Sequence, residues 1–256
     1  MAAGTYRARV IVLRKTRLGE SDLILTMLSE DGSQIRAVAK GARKPSSQFA
    51  SRLELYAVAD VLFAYGKNLD IIKEARLDQG FERIRSSLEH AAGASAMAEL
   101  LDRVTQLELE NEKLFALTRS ALEHLEKADT KSVPVLTAAH LLKAMAFSGF
   151  KPSLTTCVCC GKSVDVSDAD STVFVSYAEG GVLCPSCAAT HEVIRSSSAT
   201  CAWANVLLVS TFDQIVAFDA DLSTAFSVLQ FCQSWVREHV GASLKSLQFL
   251  FTSGLF

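Results

Sequence analysis

Four cysteines stand in two pairs, Cys157-x-x-Cys160 and Cys184-x-x-Cys187, with 23 residues between the pairs. Each two-residue spacer lets one tight turn present two sulfurs to a single ion, and zinc takes four such ligands in a tetrahedron. Gly161 follows the first pair, where a residue free to adopt positive φ turns backbone N–H groups toward the thiolates. The gap slightly exceeds the usual ribbon spacing, yet it holds a strand-like run over residues 172–177 and a Gly180-Gly181 turn, as a ribbon hairpin should. The pattern predicts one structural zinc ion, because four sulfurs leave no open position for catalysis. Cys159 lies inside the first knuckle and His191 just beyond the second, so either is a candidate substitute ligand. A thioredoxin-like dithiol would need a βαβ setting, and a zinc deaminase a His-x-Glu ahead of Pro-Cys-x-x-Cys; the sequence has neither. Cys201 and Cys232 fall in helical patterns and read as small core residues.

The second chemical pattern is electrostatic. No acidic residue lies between Asp31 and Glu54, while Arg36, Lys40, Arg43, Lys44 and Arg52 all do. An acid-free stretch over residues 1–19 adds Arg14, Lys15 and Arg17. These eight side chains are the candidate DNA-binding residues, since a basic loop can follow a phosphate backbone and release counterions. The Gly, Ser and Pro content of residues 41–51 predicts a flexible loop, with Phe49 in it as a candidate base-stacking residue. Residues 1–80 carry 13 Lys/Arg against 9 Asp/Glu, whereas the remainder carries 13 against 19, so the bland net charge of −2 conceals a basic front and an acidic back. No phosphate-binding glycine loop or nucleophile motif occurs, and no catalytic residue is assigned. His140, inside an apolar helix, reads as a core residue.

The elements that must position these groups follow from periodicity. Five runs rich in β-branched and aromatic residues, at 6–13, 22–29, 34–40, 53–65 and 69–77, read as strands. Asp31-Gly32 suits a tight hairpin between the second and third. Five short strands with one long basic connection predict an OB-type barrel, with an SH3-like barrel as the alternative. From Phe81 the period becomes helical: Met97, Leu100, Leu101, Val104 and Leu107 share one face, and Leu114, Leu117, Ala121, Leu122 and Leu125 another. Residues 133–150 are apolar nearly all round and predict a buried helix. The expected class is α+β: an N-terminal five-stranded OB-type β-barrel, a helical bundle domain and an inserted four-cysteine zinc ribbon. The expected divisions are 1–79 for the OB-fold DNA-binding domain, 80–152 for the first part of the helical domain, 153–191 for the ribbon and 192–256 for the second helical part. With 49% hydrophobic residues in 256, disordered and fibrous classes are excluded. The longest uncharged stretch, 196–212, is short for a membrane span and carries Ser, Thr and Asn, so it reads as a buried helix. The expected location is the cytoplasm, at the nucleoid.

Gly19-Glu20-Ser21-Asp22, then Gly32, then Ala39-Lys40-Gly41-Ala42-Arg43-Lys44 resemble the front of the bacterial RecO family of DNA repair proteins. Gly149-Phe150-Lys151-Pro152 leading into the first cysteine pair, Gly180-Gly181-Val182-Leu183 leading into the second, and Leu244-Lys245-Ser246-Leu247 near the end extend the resemblance over essentially the whole chain. The resemblance implies a non-enzymatic recombination mediator. Such a protein binds single- and double-stranded DNA, anneals complementary strands without ATP and works with RecR to load RecA onto strands coated by the single-strand binding protein SSB. It assigns Lys40, Arg43 and Lys44 to DNA and the four cysteines to metal. Some members of the family lack the cysteines, so the ribbon is not the annealing machinery itself. It also implies contact with the acidic SSB C-terminal tail, for which Lys245 beside Leu247, Phe249 and Phe251 offers charge next to apolar surface. The alternative is a protein-interaction scaffold whose basic barrel binds an acidic partner and touches DNA weakly.

Overall fold

Alternation of apolar and polar residues in the first 80 positions can bury only one face of each strand, and a closed barrel satisfies it. A computed structural model of the chain describes residues 4–218 and 220–256. In it β1 (Thr5–Leu18), β2 (Asp22–Ser29), β3 (Gln34–Ala39), β4 (Val58–Ala64) and β5 (Asp70–Gln79) close in the order β1-β2-β3-β5-β4. Only β3 and β5 pair in parallel. The closed five-stranded barrel is the OB architecture expected from the strand count. Val10, Val12, Leu25, Met27, Ala37, Val61 and Phe63 fill its interior. Closure leaves no sheet edge to template association. At the β2–β3 turn Gly32 has φ +84°, and a Cβ there would meet the Asn111 carbonyl oxygen at 2.0 Å, so only glycine fits.

The strands differ from the expected bounds at two ends. β1 runs on to Leu18 through residues whose charges disguise the strand, and β4 begins only at Val58 because residues 40–56 form consecutive turns. The barrel belongs to a compact unit, Met1–Glu126, that also holds α1 (Glu82–Ser86), α2 (Leu88–Val104) and α3 (Glu112–Lys127) apart from its last residue. Ser87 caps α2 by accepting a bond from the His90 N–H. The Met97, Leu100 and Leu101 face of α2 is buried, and α2 packs on β1 and β2. Leu107, expected on that same face, lies beyond the helix end and is exposed.

The second unit, Lys127–Phe256, is built on α4 (Val133–Phe147), almost wholly buried as its composition requires. The cysteine segment follows: β6 (Thr172–Ser176), β7 (Gly181–Leu183), the short α5 (Pro185–Ala188) and β8 (Ile194–Ser197). These strands form a sheet in the order β7-β6-β8. Then α6 (Ser198–Val209), α7 (Phe212–Val216), α8 (Leu222–Val240) and α9 (Lys245–Thr252) complete the unit. α4 packs against both α6 and α8, so helices from before and after the cysteine segment share one core. Cys201 and Cys232 are buried in that core. No helix among the described residues is long and apolar enough to cross a membrane.

Candidate nucleic-acid interface and metal centre

A single irregularity in β1 decides where its cations point. Val10 and Val12 face the barrel interior, then the pairing with β2 shifts between Val12 and Arg14. A one-residue bulge moves every later side chain to the other face. Lys15 therefore lies across from Leu25 and Arg17 across from Leu23, on the side that the even-numbered residues occupied before the bulge. There Lys15, Arg17 and Arg43 line a cavity of about 300 Å³ floored by Leu25, Ala39 and Phe49. Lys15 is held by Glu54, Nζ to Oε2 at 2.8 Å, while Arg17 is exposed. Phe49 corrects the expectation of a base-stacking side chain: it is 7% exposed and packs with Ala42 and Leu53 in the barrel core.

Arg14 emerges on the opposite face. Arg14, Thr26 and Arg36 are successive partners across β1, β2 and β3 and form one row. Together with Gln34, Asp102 and Arg103 the two arginines line a second cavity of about 350 Å³. Arg14 Nε pairs with Asp102 at 3.0 Å, which neutralises part of its charge inside the fold. Arg103 is a cation that the linear band did not contain. It sits on α2, far away in sequence, and only the packing of that helix on the barrel brings it here.

The two family-like motifs at the front of the chain are stitched together. Asp22 Oδ1 accepts from the Gly41 N–H at 2.7 Å and from Ser21 Oγ at 3.0 Å. Arg43 donates its N–H to the Ser21 carbonyl at 2.9 Å and its guanidinium to the Glu20 carbonyl at 2.8 Å. The segment expected to be a loose loop is thus tied at its start, through Gly41 and Arg43, to the turn at Glu20–Asp22. The Gly41 N–H first, then Ser21, hold the Asp22 carboxyl below its usual range, with Lys40 and Lys44 adding attraction. Lys40 and Lys44 are exposed beside it. Arg52 lies apart, donating to the Ala75 carbonyl on β5 at 3.1 Å, and lines neither cavity.

The four cysteines converge. Their sulfurs all lie within 4.8 Å of one another, with Cys160 and Cys184 at 3.7 Å. A tetrahedral ion with bonds of about 2.3 Å separates its sulfurs by about 3.8 Å, so the donor set fits zinc. Gly161, at φ +72°, closes the first knuckle by donating to the Cys157 carbonyl, while the Val158 N–H bonds to Val182 and docks the knuckle on β7. A hydrogen bond from the Cys184 backbone pulls the Cys157 thiol down to about 6, whereas side-chain hydrogen bonds to Cys184 and Cys160 hold the proton on Cys187 and push it up to about 12. Four sulfurs this close cannot all ionise without a cation between them, and a divalent ion removes that conflict. Cys159, Glu179 and His191 gather separately alongside.

Elsewhere His140 is fully buried and burial drives its pKa down to about 3, so it is neutral at ordinary pH. Near the end of the chain Leu247 is buried and the Phe251 ring packs on Phe226, which leaves Phe249 as the exposed ring beside Lys245.

Two sequence profiles cover almost all of the chain: recombination protein O N terminal over residues 1–81 and recombination protein O C terminal over residues 85–248. The relatives it resembles are named DNA repair protein RecO. The one from Desulfitobacterium hafniense is 35% identical over 72% of this chain, and the match spans 65% of that relative's own length, just under two thirds. That from Dehalococcoides mccartyi is 34% identical over 75% and 74%, and that from Bifidobacterium longum 34% over 70% and 72%. With the barrel, the helical core and the cysteine centre in place, the chain belongs to the RecO family of recombination proteins.

Proposed function

We propose that this protein is a non-enzymatic DNA repair and recombination mediator. It binds single- and double-stranded DNA through the barrel, anneals complementary strands without ATP and, with RecR, helps load RecA onto SSB-coated strands. One observation carries the DNA reading: Arg17, Lys40, Arg43 and Lys44 are on or beside the anchored turn that joins the two front motifs, with Arg17, Lys40 and Lys44 exposed there. Cations carried on an anchored turn neutralise phosphates with less backbone to order at the moment of contact, and strands stripped of their repulsion can pair. Arg14, Lys15, Arg36 and Arg52 extend the interface. Functionally, residues 1–79 serve DNA, 153–191 hold metal, and the helical segments within 80–152 and 192–256 contact partners, including the SSB tail.

Cys157, Cys160, Cys184 and Cys187 would hold one structural zinc ion, which ties the two knuckles together and supplies no chemistry to DNA. The proposed location is the cytoplasm, at the nucleoid. The competing scaffold reading draws on the ion pairs Lys15–Glu54 and Arg14–Asp102, which neutralise two of the cations internally. Annealing of SSB-coated oligonucleotides by the pure protein, with and without RecR, tests the proposal. Annealing alone and RecA loading on adding RecR support it, and salt-insensitive, negligible oligonucleotide binding favours the scaffold.

A further inference from the structure

The sulfur tetrad leaves one thiol of its own knuckle unused. Cys159 is exposed and its Sγ lies 3.5 Å from His191 Nε2, although the two are 32 residues apart. Glu179, on the turn between β6 and β7, completes a trio whose donor atoms all lie within 4.8 Å of one another. A zinc-like ion bound to a thiolate at about 2.3 Å and an imidazole at about 2.05 Å separates those two donors by about 3.5 Å. The observed spacing therefore already matches shared coordination.

The histidine is also in the right form. His191 Nδ1 lies 2.8 Å from the Cys187 carbonyl oxygen and 3.1 Å from Thr190 Oγ1. A carbonyl can only accept, so Nδ1 carries the proton and Nε2 presents its lone pair to Cys159. A ligating histidine whose other nitrogen is fixed by a backbone carbonyl is the usual supporting arrangement at metal centres. We propose that Cys159, Glu179 and His191 form a second, solvent-open metal site for a soft or borderline divalent ion of the Zn²⁺ type. One sulfur, one nitrogen and one carboxylate oxygen leave a fourth position to water, which makes this site exchangeable where the tetrad is closed. Binding releases the Cys159 thiol proton to solvent and balances the thiolate and Glu179 carboxylate against the ion's two charges, with no change of oxidation state. The site goes beyond the DNA reading and does not depend on it.

The test is a titration of the full chain, already holding its tightly bound ion, with Zn²⁺ against a chromophoric chelator and in parallel with Co²⁺ by absorption. The intact protein should take up one further equivalent, and the Co²⁺ spectrum should carry a thiolate band from a single sulfur. Cys159→Ser and His191→Gln should each weaken that second equivalent about a hundredfold or more and keep the first. Glu179→Gln should weaken it about tenfold. Cys184→Ser should remove the tight ion, which separates failure of the tetrad assignment from failure of this one. Saturation of the intact chain at one equivalent overturns the site. So does a second equivalent that survives Cys159→Ser unchanged, and so does loss of the first ion in that variant, because it would make Cys159 a tetrad ligand.

Discussion

Asp22 shows how one carboxylate can serve a function without touching the ligand. Its bond to the Gly41 N–H holds the turn that presents Lys40, Arg43 and Lys44. Because the folded carboxyl titrates below its unfolded range, the anchor is fully present above about pH 4 and is lost as pH falls through the depressed folded value. Hydrogen exchange at the Gly41 amide, corrected for the intrinsic pH dependence of exchange, should therefore show constant protection across neutral pH and lose it only in acid. Asp22→Ala should lower that protection at neutral pH, match the wild type in acid, and weaken oligonucleotide binding severalfold. Phe49 calls for a different experiment. As a buried barrel residue, Phe49→Ala should cost about 3 kcal/mol of stability in denaturant titration. Phe49→Leu should keep most of that stability and leave DNA affinity unchanged, whereas a stacking role would lose affinity in both variants. An aromatic in a Gly, Ser and Pro-rich segment reads as exposed, and its burial depends on packing with Ala39 and Leu53 that no local pattern announces.

At the scale of elements, legibility followed the range of the interaction. Strand β2 spans 22–29 as expected, because its run of apolar and β-branched residues is bounded by turn signals on both sides. The sulfur tetrad was legible for a similar reason, since each pair is set by its own short spacer. The bulge in β1 was not: nothing in Arg14-Lys15-Thr16-Arg17 says which face each residue takes until the register with β2 is known. It yields a sharp expectation. Arg17→Glu, beside the cavity under Arg43, should lower oligonucleotide affinity about tenfold, while Arg14→Gln, which removes a cation already paired with Asp102, should change it less than about twofold. Stripping metal from the tetrad should act elsewhere. Chelation should raise proteolysis within 153–197 and leave barrel binding intact, because the knuckles and the basic strands belong to different compact units.

For the whole molecule, the salt response measures how many cations engage. Four phosphate contacts by Arg17, Lys40, Arg43 and Lys44 on single-stranded DNA predict a slope of about −2.8 in log affinity against log salt, or about fiftyfold between 50 and 200 mM. Arg43→Glu with Lys44→Glu should flatten that slope for every sequence alike and slow annealing. The expected asymmetry between a basic front and an acidic back resolves more finely in the folded chain. Residues 81–126 carry 5 Lys/Arg against 9 Asp/Glu, so the segment that follows the barrel offsets its +4 within one compact unit. That unit is electrically neutral, with its positive excess on the barrel segment and its negative excess in the residues that follow. Its net charge gives no bulk attraction to a polyanion, but an uneven distribution lets the barrel's exposed cations be drawn toward one. Raising ionic strength should then slow productive encounters of the full chain, although screening of its net charge of −2 would by itself speed them.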